Sequence, residues 1–127
     1  MTFEIEIDGP ARSAAVRFRD VVRDGEPWSA LRELFCDARV GEGGSVFIDL
    51  TGIGQVQLSE RDMHSLAQHM AAVQDSVALA RVGFLAPERD HIHRLAEHYV
   101  SLRPRVPYPL RVFTRAEECE AFLSGEA

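Results

Sequence analysis

The sequence predicts an α/β fold with a single mixed sheet, and three observations support this prediction. Apolar and acidic residues alternate at the N-terminus as in a β-hairpin, and the short apolar run at residues 46–50 is typical of a buried parallel strand. Each later strand-like run is followed by apolar residues at helical spacing. Because strands that alternate with helices pair in parallel through right-handed crossovers, we expect an N-terminal hairpin followed by βαβαβα crossovers, in the order β-β-α-β-α-β-α-β-α.

The first two predicted strands form the hairpin. Residues 3–8 alternate between apolar and acidic side chains, and after an Asp-Gly-Pro turn signal residues 16–19 alternate between apolar and arginine side chains. Antiparallel pairing would set the acids of the first strand near Arg17 and Arg19. We interpret these charges as a solvated face that helps to fix the strand register.

The first predicted helix begins at Pro27, and glycines at 41 and 43–44 terminate it. Its apolar residues recur at three- and four-residue spacing: Trp28, Leu31, Leu34, Phe35 and Ala38. We interpret Trp28 as a core lid rather than as a platform for ligand stacking, because large aromatic side chains mostly serve packing.

The remaining elements are predicted from the same apolar periodicities and from proline breaks. They are a strand at residues 46–50, a loop at 51–58, a helix at 59–75, a strand at 79–86, a helix at 88–102, a strand at 110–114 and a helix at 116–123.

Composition and charge predict one globular domain, residues 1–127, of which 46% are hydrophobic and 27% charged. The formal net charge of −6 argues against nucleic acid and against an anionic membrane surface, because both require a basic face. The chain shows neither a signal peptide nor an apolar run of about 20 residues, so we expect a cytoplasmic protein.

Motifs for catalysis and cofactor binding are missing. All 14 basic residues are arginine, which excludes Schiff-base and P-loop lysine chemistry, and no G-x-S-x-G or complete dinucleotide-binding motif occurs. Cys36 and Cys119 are expected to pack as reduced apolar residues rather than to act as exposed nucleophiles. We therefore predict a protein that is not an enzyme and has no cofactor.

The five histidines do not show the spacing of a metal site. His64 and His69 would lie about 140° apart on a helix, and His91 and His98 would share a face but lie about 10 Å apart along the axis. No zinc-binding motif occurs. We predict no metal site, since only contacts between different elements would build one.

Ser59 has two interpretations. With Asp62 three residues later it is typical of a helix N-cap, which is the interpretation we favour. A hydroxyl at a helix N-terminus is also well placed to carry a phosphate.

In open α/β sheets, ligands bind beyond the carboxyl ends of the parallel strands. In this chain those ends offer a candidate ligand crevice at Asp49, Thr51, Gly52, Glu88 and Arg115. For Asp49 we favour a structural role, as a hydrogen-bond acceptor for the backbone of the following turn.

The run Val46-Phe47-Ile48-Asp49-Leu50-Thr51-Gly52-Ile53 and the element order resemble the STAS domain of anti-sigma-factor antagonists. The likeness is closer to the SpoIIAA-like bacterial proteins grouped with STAS and CRAL-TRIO-type lipid-binding folds, and it extends to a similar terminal helix at residues 116–123. In antagonists the regulatory helix begins with Asp-Ser-Ser-Gly, whose serine is phosphorylated. This chain has Gln57-Leu58-Ser59-Glu60 there and shares only the serine, so the resemblance implies Ser59 as a phosphorylation or partner site while Glu60 would repel a phosphate.

Two hypotheses for function, from different classes, are favoured over a third, an enzyme that uses Asp49, Glu88 or a histidine. The leading hypothesis is a non-enzymatic STAS-like regulatory module that binds an unidentified protein partner through residues 59–70; whether the hairpin also mediates a homodimer is left open. The alternative is a carrier of a small apolar or lipid-like ligand, suggested by the CRAL-TRIO likeness and by the adaptable side chains of Met63 and Met70. An open apolar cavity above the strand ends would favour the carrier, and a filled interior would favour the partner module.

Overall fold

Five strands form one mixed sheet and follow one another in space in the same order as along the chain. The computed structural model describes residues 3–37, 43–73, 79–86 and 90–125. The strands are β1 Phe3–Asp8, β2 Ser13–Arg23, β3 Ser45–Gln57, β4 Arg81–Leu85 and β5 Leu110–Phe113. The helices of the described residues are α1 Glu26–Phe35, α2 Glu60–Val73, α3 Asp90–Ser101 and α4 Ala116–Ser124. The predicted fold class, sheet type and element order are confirmed.

The N-terminal hairpin has the predicted register. β1 pairs antiparallel with β2, so that Glu4 lies opposite Arg17. Arg17 forms an ion pair with Glu6 at 3.2 Å, and Arg19 forms one with Glu4. Because these side chains are largely exposed, each ion pair contributes at most about 1 kcal/mol to the free energy of unfolding. The main effect of the pairs is to fix which residues of the two strands lie opposite each other.

The three crossover helices lie on one face of the sheet. β2, β3, β4 and β5 pair in parallel with one another in that order, and successive right-handed crossovers between these strands place α1, α2 and α3 on the same side. Accordingly, Val46 and Ile48 of β3 pack among residues of α1, α2 and α3. The main core cluster occupies this side.

The last helix, α4, covers the opposite face. Ser45 of β3 donates a hydrogen bond from its hydroxyl to the Leu123 carbonyl oxygen at 3.2 Å. Leu85, Cys119 and Phe122 are buried on this side, apart from the main cluster. A glycine on β4 allows the close approach: a Cβ placed on Gly83 would lie 2.9 Å from the Cys119 sulfur.

β3 is longer than predicted, and the loop expected at residues 51–58 is wrong. The strand continues to Gln57 and stays paired with β2 throughout, whereas β4 stops at Leu85 opposite Asp49. The glycines at 52 and 54 suggested a break after the strand, but the strand continues, and its register against β2 shifts beside them.

The helix boundaries agree with the prediction in part. α1 begins at Glu26 with Pro27 in its first turn, as expected, and ends at Phe35. The predicted residues Ala38 and Gly41, and the segments 74–78 and 87–89, lie outside the described residues. Among the described helices, none is both long and apolar enough to cross a membrane.

We predict that Gly83→Ala lowers the free energy of unfolding by about 1–3 kcal/mol, because the new methyl group overpacks the contact with α4. Chemical denaturation measures this change. Gly54→Ala is the matched control, since the nearest atom to its Cβ would be 3.6 Å away, an ordinary contact.

If the steric contact with Cys119 is the cause, the double variant Gly83→Ala/Cys119→Ala should be more stable than the sum of the two single changes predicts. Equal losses for Gly83→Ala and Gly54→Ala would contradict the proposed role of this contact.

Candidate functional site

An apolar cavity of about 90 Å³ lies on the helical side of the sheet, past the carboxyl end of β4. The extended part of β2 and β3 forms its floor, and α1, α2 and α3 form its walls. It exists because β2 and β3 continue where β4 has ended, so their apolar face meets helices but no neighbouring strand.

Two irregularities in β3 direct its apolar side chains into this cavity. Phe18 of β2 lies opposite two residues of β3, Leu50 and Thr51, which form a bulge. A second register shift occurs at Gly54. As a result, four apolar residues of β3 line the cavity: Ile48, Leu50, Ile53 and Val56. Ile53 and Val56 follow Leu50 at intervals of three residues instead of the two of a regular strand.

The backbone of β2 also departs from regular strand geometry beside the cavity. Asp20 has a left-handed φ of 58° and its side chain is exposed, while Phe18 and Val22 on either side of it are buried and line the cavity. At Gly52 a Cβ would lie 3.0 Å from the Phe18 carbonyl oxygen, so the bulge tolerates only glycine without a backbone shift.

Among the residues that the structure describes, the lining carries no charged side chain. It consists of Phe18, Val22, Pro27, Leu31, Ile48, Leu50, Ile53, Val56, Leu58, Met63, Leu66, Phe84, Ile92, Leu95, Ala96 and Tyr99. The Tyr99 hydroxyl accepts a hydrogen bond from Arg103 at 3.1 Å, and burial raises the pKa of Tyr99 to about 12 despite the opposing effect of Arg103. Several lining residues, among them Leu58, Leu66 and Leu95, are only half-buried, so part of the lining is accessible to solvent.

Of the predicted crevice residues that the structure describes, Asp49, Thr51 and Gly52 lie next to lining residues of β3 in the sequence, but neither they nor Arg115 line the cavity. The Asp49 carboxylate accepts hydrogen bonds from the Thr51 backbone nitrogen at 2.9 Å and from its hydroxyl at 2.6 Å. This is the structural role that we favoured for Asp49. Arg115 is exposed at the N-cap of α4, where it forms a 4.0 Å ion pair with Glu118. Glu88 lies outside the described residues.

Ser59 caps α2 as part of a reciprocal capping box. The Asp62 backbone nitrogen donates to the Ser59 hydroxyl at 3.1 Å, and the Ser59 backbone nitrogen donates to the Asp62 carboxylate at 2.7 Å. The predicted cap is confirmed. Phosphorylation of the exposed hydroxyl stays a prediction.

A second polar cluster joins α2 to α3. Glu60 and His64 lie one turn apart on α2, and His98 comes from α3; the Glu60 carboxylate oxygen is 3.1 Å from His64 Nε2 and 2.7 Å from His98 Nε2. The pKa of Glu60 is lowered, chiefly by its hydrogen bond with His98. Histidine spacing within a single helix does not reveal this cluster, because its members come from two helices.

Trp28 packs against the core and Cys119 is buried, whereas Cys36 lies at the surface. Trp28 is half-buried against the core and stacks on His69 at 4.8 Å between ring centroids, in agreement with a lid role. Cys119 is buried, which raises the pKa of its thiol to about 11 with smaller contributions from Glu120 and Asp49. Cys36 is exposed, so the expectation that it packs as a core residue is wrong; it follows the last turn of α1 instead.

Comparison with known proteins gave no identification. No family model, no curated protein and no solved structure matches the chain. The resemblance to the STAS group therefore stays a prediction.

We predict that Ser59→Ala lowers the free energy of unfolding by about 0.5–2 kcal/mol, because the first turn of α2 loses its side-chain cap. Ser59→Asn should retain most of the stability, since asparagine caps equally well. Ser65→Ala, an exposed serine within α2, is the matched control in urea denaturation. A loss at Ser65 as large as that at Ser59 would argue against the capping role.

Proposed function

We propose that this protein binds a small neutral apolar molecule, such as a single aromatic ring or a short aliphatic chain, in the cavity at the carboxyl ends of its strands. The observation that carries the proposal is a cavity of about 90 Å³ whose described lining residues are all uncharged. Apolar cavities of this kind stay dry and take up apolar molecules of matching size.

Cavity size and chemistry narrow the ligand class. Pockets for drug-sized ligands are commonly about 300–1,000 Å³, so a cavity of about 90 Å³ suits a small molecule or one end of a chain. A charged group would be costly to bury here, because no lining residue in the described part of the chain offers an ionic partner. A polar end of a chain-like ligand would remain at the half-buried rim near Leu66 and Leu95.

The other hypothesis, a non-enzymatic STAS-like regulatory module with a protein partner, stays a prediction. Residues 59–70 were expected to form its interaction surface. Their exposed side chains are all polar, and the methionines among them, Met63 and Met70, are buried. This surface therefore lacks the apolar centre that most stable protein interfaces have, and the open apolar cavity favours the ligand carrier of the two hypotheses.

We predict that benzene binds in the cavity and that benzoate, which has the same ring with a carboxylate, does not. Methyl chemical shifts in a ¹H–¹³C NMR titration measure binding. The changes should concentrate on the cavity methyl groups, such as those of Ile53, Val56 and Ile92. Benzoate should leave them unchanged, because burying an unpaired carboxylate costs several kcal/mol.

Leu95→Trp should fill part of the cavity and weaken benzene binding by about tenfold or more, which corresponds to about 1.4 kcal/mol. Leu102→Trp is the matched control, since Leu102 is also half-buried but does not line the cavity. Solvent extraction of protein purified from its source, followed by mass spectrometry, identifies any natural ligand. Shifts of equal size with benzoate, or an empty extract together with no benzene shifts, would overturn the proposal.

A further inference from the structure

Three metal-ligand groups converge on the outer surface between α2 and α3. Glu60 and His64 are spaced i,i+4 on α2, and His98 reaches them from α3. One ligand atom from each residue lies within 4.8 Å of the other two. The two imidazole rings meet edge to face, with their centroids 6.3 Å apart.

Two of the three distances between ligand atoms are close to those of a coordination sphere, and the third is within 4.8 Å. Ligand bonds of about 2.0–2.1 Å in a tetrahedral zinc site place neighbouring ligand atoms about 3.3 Å apart. The Glu60 oxygen is 3.1 Å and 2.7 Å from the two imidazole nitrogens. Small side-chain rotations therefore suffice to admit an ion, and these exposed or half-buried side chains have room to make them.

We propose that Glu60, His64 and His98 form a binding site for a divalent transition-metal ion of the zinc type. Two imidazole nitrogens and one carboxylate oxygen are ligands that Zn²⁺ accepts in three-residue sites, with water in the fourth position. The same nitrogen-rich set disfavours Mg²⁺ and Ca²⁺, which take oxygen ligands. The site is separate from the apolar cavity and does not rest on ligand binding there.

The ion would add coordinate bonds to the Glu60–His98 contact that already joins the two helices at this point of the surface. Met63 of α2 and Leu95 of α3, which line the cavity, lie within a turn of the ligands on their own helices. Because the unfolded chain does not hold the three groups together, Zn²⁺ binding should stabilise the folded protein.

Tag-free protein should bind one equivalent of Zn²⁺ in a calorimetric titration, and Zn²⁺ should raise its melting temperature. Co²⁺ should give the visible absorption of a four-coordinate complex, which reports inner-sphere binding directly. His98→Ala should weaken Zn²⁺ binding by about 10- to 100-fold or more and abolish the change in melting temperature, since α2 alone then holds the ion.

Two controls separate this site from other surface ligands. His91→Ala removes an exposed imidazole from the same helix, and Cys36→Ser removes the exposed thiol; both variants should bind Zn²⁺ like the parent. His64→Gln should weaken binding like His98→Ala, so the assignment does not depend on one variant that fails to fold. Unchanged affinity in His98→Ala, loss of binding in Cys36→Ser, or no binding at 100-fold excess of Zn²⁺ would each overturn the proposal.

Discussion

The ladder between β2 and β3 continues after β4 has ended, and this mismatch in strand length determines the shape of the molecule around its candidate site. A two-stranded ribbon in water buries little on its own. Here its apolar face is covered by α1, α2 and α3, which also cover the rest of the sheet. Helices that span both a broad sheet and a narrow ribbon do not pack equally closely on both, and the cavity lies where the sheet narrows.

The bulges in β3 keep its apolar side chains on the face of the ribbon that the helices cover. Strict alternation after Leu50 would place Gly52 and Gly54 on the apolar face and send Ile53 to the opposite side. The extra residue at the first bulge brings Ile53 to the helical side, and the extra residue at the second bulge keeps Val56 there as well. Gly52 is needed because the bulged backbone comes close to the Phe18 carbonyl. Local irregularity thus keeps the apolar face continuous.

The polar contacts described above are of two kinds, those within a few residues of chain and those between two helices. Short-range pairs such as the Ser59–Asp62 capping box form within a few residues of chain and fix where an element begins. The cluster of Glu60, His64 and His98 needs α2 and α3 to be neighbours, and that follows from consecutive crossovers on one face. The same crossover arrangement therefore produces both the cavity walls and the polar cluster on their outer side.

Periodicity in the sequence determined the fold class, the element order, the hairpin register and the cap at Ser59, because each depends on residues that are close along the chain or on a two- or 3.6-residue repeat. It also predicted the structural role of Asp49 beside Thr51. Only the tertiary structure decided the length of β3, the exposure of Cys36, the cavity and the contact between His64 and His98. These features depend on where one strand ends relative to its neighbour and on which helix faces lie side by side. No local pattern of residues encodes either arrangement.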